Sequence, residues 1–295
     1  MENLFLHSTD GLGYQAFEVS ESEITKALGY RELLVKALDI EIIYDQIIEA
    51  YWDYKNKVSY WSLRSISSPS ADYVFNHEVR SSLNRLAFNL FNLSKLYLDW
   101  HYNERKKRCF SFELTNEDSA KQQVIDHRCE VYDTNLNYVV GCSLRGHSQH
   151  SALPVRTFTT GVRYDRDTSN RTAHFNIYYR YEDLAKAGVP KEMLSKDIKL
   201  DLTDIVDGFV YAISQKHMLN RKLTEVVVGE ARASLTSMWK NYGTKAGFEN
   251  YRCEVRTEKK STGRVGLSLE WFDVFEYLKE KHRISINYSN ITFEK

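Results

Sequence analysis

The chain has 295 residues, of which 42% are hydrophobic, 27% charged and 13% aromatic, enough apolar material for a sizeable core, which excludes wholesale disorder. Forty Lys and Arg balance forty Asp and Glu, which excludes the strongly basic profile of an obligate duplex binder. The halves differ: residues 1–150 hold 16 basic against 21 acidic side chains, a net of −5, and residues 151–295 hold 24 against 19, a net of +5, so a polyanion is better accommodated by the second half.

The first residues, Met1 to His7, lack the basic and long apolar regions of a signal peptide, and no apolar run approaches the roughly 20 residues that span a bilayer. Four cysteines at 109, 129, 142 and 253 form no CxxC pair. The expectation is a reduced, cytoplasmic protein with no membrane contact. Residues 1–35 are read as an N-terminal extension, in which Gly11-Leu12-Gly13 is a turn.

Three amphipathic stretches follow. Ile40, Ile43, Ile47, Tyr51, Tyr54, Val58 and Trp61 step by three or four, one face of a helix of about six turns. Leu83, Leu86, Leu90, Leu93, Tyr97 and Trp100 repeat the pattern after the Ser-rich stretch around Pro69. A third helix is predicted from about Asp118 to His150, with Val124, Val131, Tyr138 and Cys142 on one stripe. Long helices with short or moderate connections predict an antiparallel bundle over residues 36–154. Between the second and third helices, Arg105-Lys106-Lys107-Arg108 reads as a basic run at a helix end, where cations suit the macrodipole.

After Pro154 the period changes from 3.6 to 2. Phe158, Thr160, Val162 and Tyr164, then Ala173, Phe175, Ile177, Tyr179 and Tyr181, predict a β-hairpin turning through Asp165 to Asn170. A long helix is predicted from about Leu202 to Tyr242, with Asp201 as N-cap and Gly243 as stop. Alternating runs at Tyr251/Cys253/Val255 and Val265/Leu267/Leu269, a turn over Glu258 to Gly263, a short helix from Trp271 to His282 and a last strand near Ile284 to Tyr288 complete residues 155–295. The expected fold is therefore α+β and predominantly helical: an N-terminal antiparallel bundle, then a β-hairpin, a long helix and a small α+β region.

Common catalytic signatures are missing. There is no Walker-type phosphate loop, no GxGxxG after a strand, no HExxH and no GxSxG. Nine histidines are dispersed without partners at metal-ligand spacing, so neither metal nor cofactor is expected. One segment carries chemistry: Leu144-Arg145-Gly146-His147-Ser148-Gln149-His150-Ser151-Ala152-Leu153-Pro154. The stripe through Val131, Tyr138 and Cys142 continues to Arg145, placing a guanidinium on an inward face where an unpaired charge is costly. His150 lies five positions on, about 140° around an ideal helix, so the two converge only if the helix loosens or ends there, which Gly146 and Pro154 both favour. The residues by themselves also fit an arginine paired with a buried carboxylate and a surface histidine at a frayed end.

A long helix ending in Leu-Arg-x4-His, followed by Leu-Pro and a β-hairpin, resembles the HEPN superfamily of helical-bundle proteins, over about residues 36–154 and the hairpin after them. The resemblance implies a metal-independent endoribonuclease of toxin–antitoxin or antiviral defence systems, working as a homodimer whose two motifs face one cleft, with RNA as substrate and an antitoxin or defence protein as possible partner. It implies Arg145 as the cation that stabilises phosphoryl charge and His150 as the general acid/base, with His147 as an accessory imidazole. Such motifs usually carry Asn after the Arg, and this chain has Gly146. The competing expectation is a non-catalytic dimerisation or RNA- or protein-binding module.

Overall fold

The computed structural model describes residues 2–8, 13–67, 72–247, 249, 251–256 and 264–287. In chain order, β1 (Glu2–Ser8) and β2 (Tyr14–Val19) lead into helices α1 (Glu21–Ser67) and α2 (Tyr73–His101). The short strands β3 (Tyr102–Asn103) and β4 (Arg108–Cys109) precede α3 (Phe110–Thr115), α4 (Asp118–Thr134) and α5 (Leu136–His150). Then come β5 (Thr159–Tyr164), β6 (Arg171–Asn176), β7 (Tyr178–Arg180), α6 (Tyr181–Lys186), β8 (Lys199–Asp201), α7 (Leu202–Ala246), β9 (Tyr251–Arg256), β10 (Arg264–Gly266) and α8 (Asp273–Lys281). With most of its described residues in helices and a few small antiparallel sheets, the protein is a predominantly helical α+β fold. No helix among the described residues is long and apolar enough to cross a membrane.

The chain forms two compact units, each assembled from separate segments. One comprises residues 1–42, 114–116 and 221–283. Its four-stranded antiparallel sheet has the order β10-β9-β1-β2, with Phe5 opposite Ala16 on one side and Glu254 on the other. Ser20 caps α1 by accepting a bond from the Glu23 N–H at 3.2 Å; Ser and Glu three apart are the capping-box pair that starts a helix. Ile24, Leu34, Val228, Leu235, Val255, Phe272 and Phe275 are buried in this unit. Glu41, also buried, holds the Arg221 guanidinium through both carboxylate oxygens, at 2.8 and 2.6 Å. Arg221 in turn donates to the Lys279 and His282 carbonyls at the end of α8.

The other unit comprises residues 43–113, 117–220 and 284–295. Tyr44, Tyr51, Tyr54, Leu83, Leu90, Tyr97, Val124, Val140, Phe209 and Ile213 fill its core. Asp207 on α7 is almost fully buried and accepts from the Tyr51 hydroxyl and from Lys55 Nζ on α1. Asp201 performs the predicted capping, accepting from the Thr203 N–H at 2.7 Å and from the Ile177 N–H at 2.9 Å.

Several expectations need correction. The Ser20 side-chain cap starts α1 well before Ile40, so the helix runs unbroken through the expected boundary at residues 35/36. The predicted helix over 118–150 is two helices, because the Asn135 side chain caps α5 and leaves α4 at an extended residue. Helix α7 continues past Gly243 to Ala246 and stops at Gly247, whose φ of +70° suits glycine. Tyr181 opens α6 instead of extending a strand. The basic run is the tight turn between β3 and β4, where Lys107 has φ +51°; Arg108 is tied to Glu113 and lies over Trp100. Residues 284–287 lie in no strand. Gly11-Leu12, the Pro69 region, the turn over 258–263 and Tyr288 lie outside the described residues.

Two glycines on α5 have opposite roles. A Cβ at Gly141 would sit 2.5 Å from the Phe209 ring, whereas a Cβ at Gly146 meets nothing within 4 Å. Phe209 is fully buried and cannot retreat. Gly141→Ala is therefore expected to cost about 1–3 kcal/mol. Gly146→Ala should stabilise by about 0.5–1 kcal/mol through helix propensity. Urea denaturation of the two variants checks the opposed signs.

Candidate functional site

Helix α5 is defined at both ends by side chains. Asn135 adopts an extended backbone, its Oδ1 accepts from the Tyr138 N–H at 3.0 Å, and its Nδ2 donates to the Gly208 carbonyl at 3.2 Å. At the other end, the N–H groups of Ser151 and Ala152 both donate to the His147 carbonyl. The chain beyond is pinned: Asn84 on α2 donates to the Val155 carbonyl at 3.0 Å and accepts from the Val155 N–H at 2.7 Å. The Tyr179 hydroxyl donates to the Pro154 carbonyl. The Leu-Pro after the motif is thus a clamped exit.

The helix does not loosen at Gly146. It stays helical to His150, so Arg145 and His150 leave the axis about 140° apart. Gln149, about 40° from Arg145, shares its side and donates to Asn92 Oδ1 on α2 at 2.9 Å. His147 and His150, about 60° apart, share another. His150 is exposed; His147 is half-buried beside Pro154, Tyr179 and Asp183. Within one chain, then, the arginine and the two histidines are carried by one helical segment but on different sides of it.

Arg145 is half-buried, and its Nε is shielded from solvent with no hydrogen-bond partner. No ion pair reaches it among the described residues, so the buried Arg–carboxylate pair that the sequence also allowed is not formed. Its charge acts on the neighbouring turn. Burial raises the pKa of the Cys142 thiol, opposed by the hydrogen bond with Tyr138 and by the charges of Arg145 and Lys216. Burial also keeps the Tyr138 phenol well above its usual range.

Beneath this turn lies a group outside the Arg–His motif. Lys216 on α7 has 0% exposure, its Nζ has no hydrogen-bond partner among the described residues, and the amine sits 4.9 Å from the Tyr138 ring centroid. Burial is the main cause that pushes its pKa down to about 8. His101 is also buried and is pushed down to about 3 by burial, with the Lys216 charge adding. Its Nδ1 lies 3.0 Å from Asn220 Oδ1, an acceptor, so the proton is on Nδ1 and the Nε2 lone pair is left buried and unpartnered. Asn220 continues to the Tyr97 hydroxyl and Tyr97 to His217, which stacks on Tyr44 at 3.9 Å. The stripe Phe209, Ile213, Lys216, Asn220, at helical spacing, is the sequence signal that places this lysine inward.

Among the described residues no group of three or more His, Cys, Asp or Glu could hold a metal ion. Comparison with protein-family models, with curated proteins and with solved structures finds no match to this chain.

A buried amine without a hydrogen-bond acceptor destabilises the fold. Its folded-state pKa of about 8 lies below the ordinary 10.5. Between these values the unfolded chain binds more protons, so the lysine's contribution makes stability rise with pH, and the full penalty is present below about 8. Lys216→Met should therefore unfold about 1–3 kcal/mol harder than the wild type at neutral pH. The gap should shrink as pH rises towards 10.5. Paired denaturation curves from pH 7 upward check this, and a constant gap would contradict it.

Proposed function

We propose that this protein is a metal-independent endoribonuclease that acts as a homodimer, with Arg145 and His150 as its working pair. The observation that carries the reading is the Arg145 guanidinium, partly buried yet without a carboxylate partner among the described residues, on a helix whose last turn presents two imidazoles. An unneutralised cation held in a protein surface is costly unless something anionic meets it, and a phosphodiester is met bidentately by arginine.

The chemistry is a transesterification. The 2′-oxygen loses its proton to a base and attacks the adjacent phosphorus; the P–O5′ bond breaks, and the leaving 5′-oxygen takes up a proton, leaving a 2′,3′-cyclic phosphate. Imidazole suits the proton transfers. Arg145 stabilises the charge that builds on the non-bridging oxygens. Because Arg145 and His150 diverge by about 140° on one helix, a second copy facing this end of α5 would complete the site, His150 of one copy meeting a phosphate held by Arg145 of the other. The exposed Leu153 supplies apolar contact for such pairing. The setting that accompanies this reading is a cytoplasmic toxin–antitoxin or antiviral defence system, with a partner protein restraining the cleft.

A second reading, a non-catalytic dimerisation or RNA- or protein-binding module, is favoured by Gly146, which lacks the side chain that usually follows the arginine in such motifs.

Labelled single-stranded and structured RNAs are incubated in EDTA with identically purified wild type, Arg145→Ala, His147→Ala and His150→Ala. Cleavage by the wild type is expected, falling about 10²-fold or more in the Arg145 and His150 variants and less in the His147 variant. Equal cleavage by all four overturns the assignment, and salt-sensitive RNA retention without cleavage selects the module. Since the space at Gly146 is open, Gly146→Asn should fold and raise the wild-type rate if the asparagine orients the motif.

A further inference from the structure

The N-terminal end of α5 borders a cleft of about 580 Å³ that the motif does not use. Helix α4 contributes His127 and Glu130, the start of α5 contributes Asn137, and α7 contributes Tyr211 and Gln215 around Gly208. These positions follow from spacing: 127 and 130 stand one turn apart on α4, and 208, 211 and 215 share one face of α7. Gly208 lets the two helices close, because a Cβ there would lie 2.6 Å from the Asn137 Cβ.

What distinguishes the cleft is its unspent hydrogen-bonding capacity. Among the described residues, no side-chain hydrogen bond engages Glu130, Asn137, Tyr211 or Gln215, and His127 Nδ1 is shielded from solvent without a partner. Burial and the Lys216 charge lower the His127 pKa, so the ring is neutral near neutral pH and offers one donor and one acceptor. Two amides each offer both. Glu130 offers acceptors only, Tyr211 adds a flat ring, and among the described residues neither Lys nor Arg lines the cleft.

That set suits one ligand chemistry. With a carboxylate and no cation among its described residues, the lining suits a neutral ligand better than phosphate. It matches a neutral, planar heterocycle with donors and acceptors on its edge and a π-face for stacking: amides pair with base edges, carboxylates accept from exocyclic amino groups, and aromatic rings stack unpaired bases. A cleft of this volume lies in the range that holds small ligands. We infer that this cleft binds an unpaired nucleobase carrying an exocyclic amino group, with Glu130 accepting from that amino group and Asn137 and Gln215 reading the rest of the edge. The inference rests on the RNA-cleavage reading for its role: Asn137 stands eight residues, about 12 Å along α5, from Arg145. An extended strand could place one base in the cleft and a nearby phosphate at the arginine. The base in the cleft would then select where the strand is cut.

The same chemistry could come from a free nucleoside, so the test has both arms. Full-length Arg145→Ala protein, which leaves RNA intact, is titrated by fluorescence anisotropy with labelled oligo-A, oligo-C and oligo-U, and separately competed with free adenosine, cytidine and uridine. Gln215→Leu and Asn137→Ala are made in the same background, with an unchanged thermal midpoint required of each. Oligo-A or oligo-C is expected to bind more tightly than oligo-U, and each variant to weaken that binding about fivefold to tenfold while leaving oligo-U unchanged. Competition by free adenosine or cytidine identifies a nucleoside site; preference only within a strand identifies an RNA subsite. Identical affinities for all ligands in background and variants overturn the inference. Wild type that shows the preference without cutting keeps the cleft and rejects the nuclease. Wild type that cuts, with unchanged base preference in the cleft variants, does the reverse.

Discussion

Helices α5 and α7 approach more closely than ordinary side chains allow, and what the second unit presents to solvent follows from that approach. Gly141 on α5 accepts the Phe209 ring of α7, and Gly208 on α7 accepts Asn137 of α5. The two contacts hold α5 at two points along its length. Asn135 adds a third by bonding the Gly208 carbonyl while it caps the helix. With its axis held in this way, α5 delivers Arg145 to a partly buried site at one end and leaves the cleft open at the other.

The interior next to that contact is polar in an unusual degree for a helical core. Lys216, His101, Asn220, Tyr97, His217 and Tyr44 form a buried series in which most groups find a partner and two atoms, Lys216 Nζ and His101 Nε2, do not. Such atoms lower stability when left unsatisfied. The contact of the amine with the Tyr138 ring offsets part of that cost. Positive charge is thereby concentrated under the turn of α5 that carries Arg145, since Lys216 and Arg145 both act on Cys142. A site for an anion would gain from that field.

The legible parts of the fold are those set by local pattern. Stripes at three- and four-residue spacing reveal α1, α2 and α7 because each buries one face along its length, and Asp201 is readable as a cap because its role needs only its neighbours. Asn135 is not readable in this way: between Val131 and Tyr138 it fits an uninterrupted helix as well as a break, and only its capping bond decides. The pairing of β1 with β9 is invisible to local pattern, since it joins strands more than 240 residues apart. At the site, the motif from Arg145 to His150 is legible, but the lack of an ion-pair partner for Arg145 among the described residues depends on where every other segment lies. Lys216 lies on an inward stripe that spacing exposes, yet a lone lysine at such a position ordinarily reaches solvent along its stem. The cleft is the least legible, because α4, α5 and α7 each bring only ordinary polar residues to it.

In the proposed nuclease reaction the 2′-oxygen of RNA is the nucleophile and Arg145 faces the phosphate it attacks. Mass spectrometry of the products formed in EDTA tests it most directly, using one oligoribonucleotide and its copy with a single 2′-deoxy sugar at the cut position. The expected products carry 2′,3′-cyclic phosphate and 5′-hydroxyl ends, with no cut at the deoxy position. Products with 5′-phosphate ends, or a cut that survives removal of the 2′-hydroxyl, would contradict it.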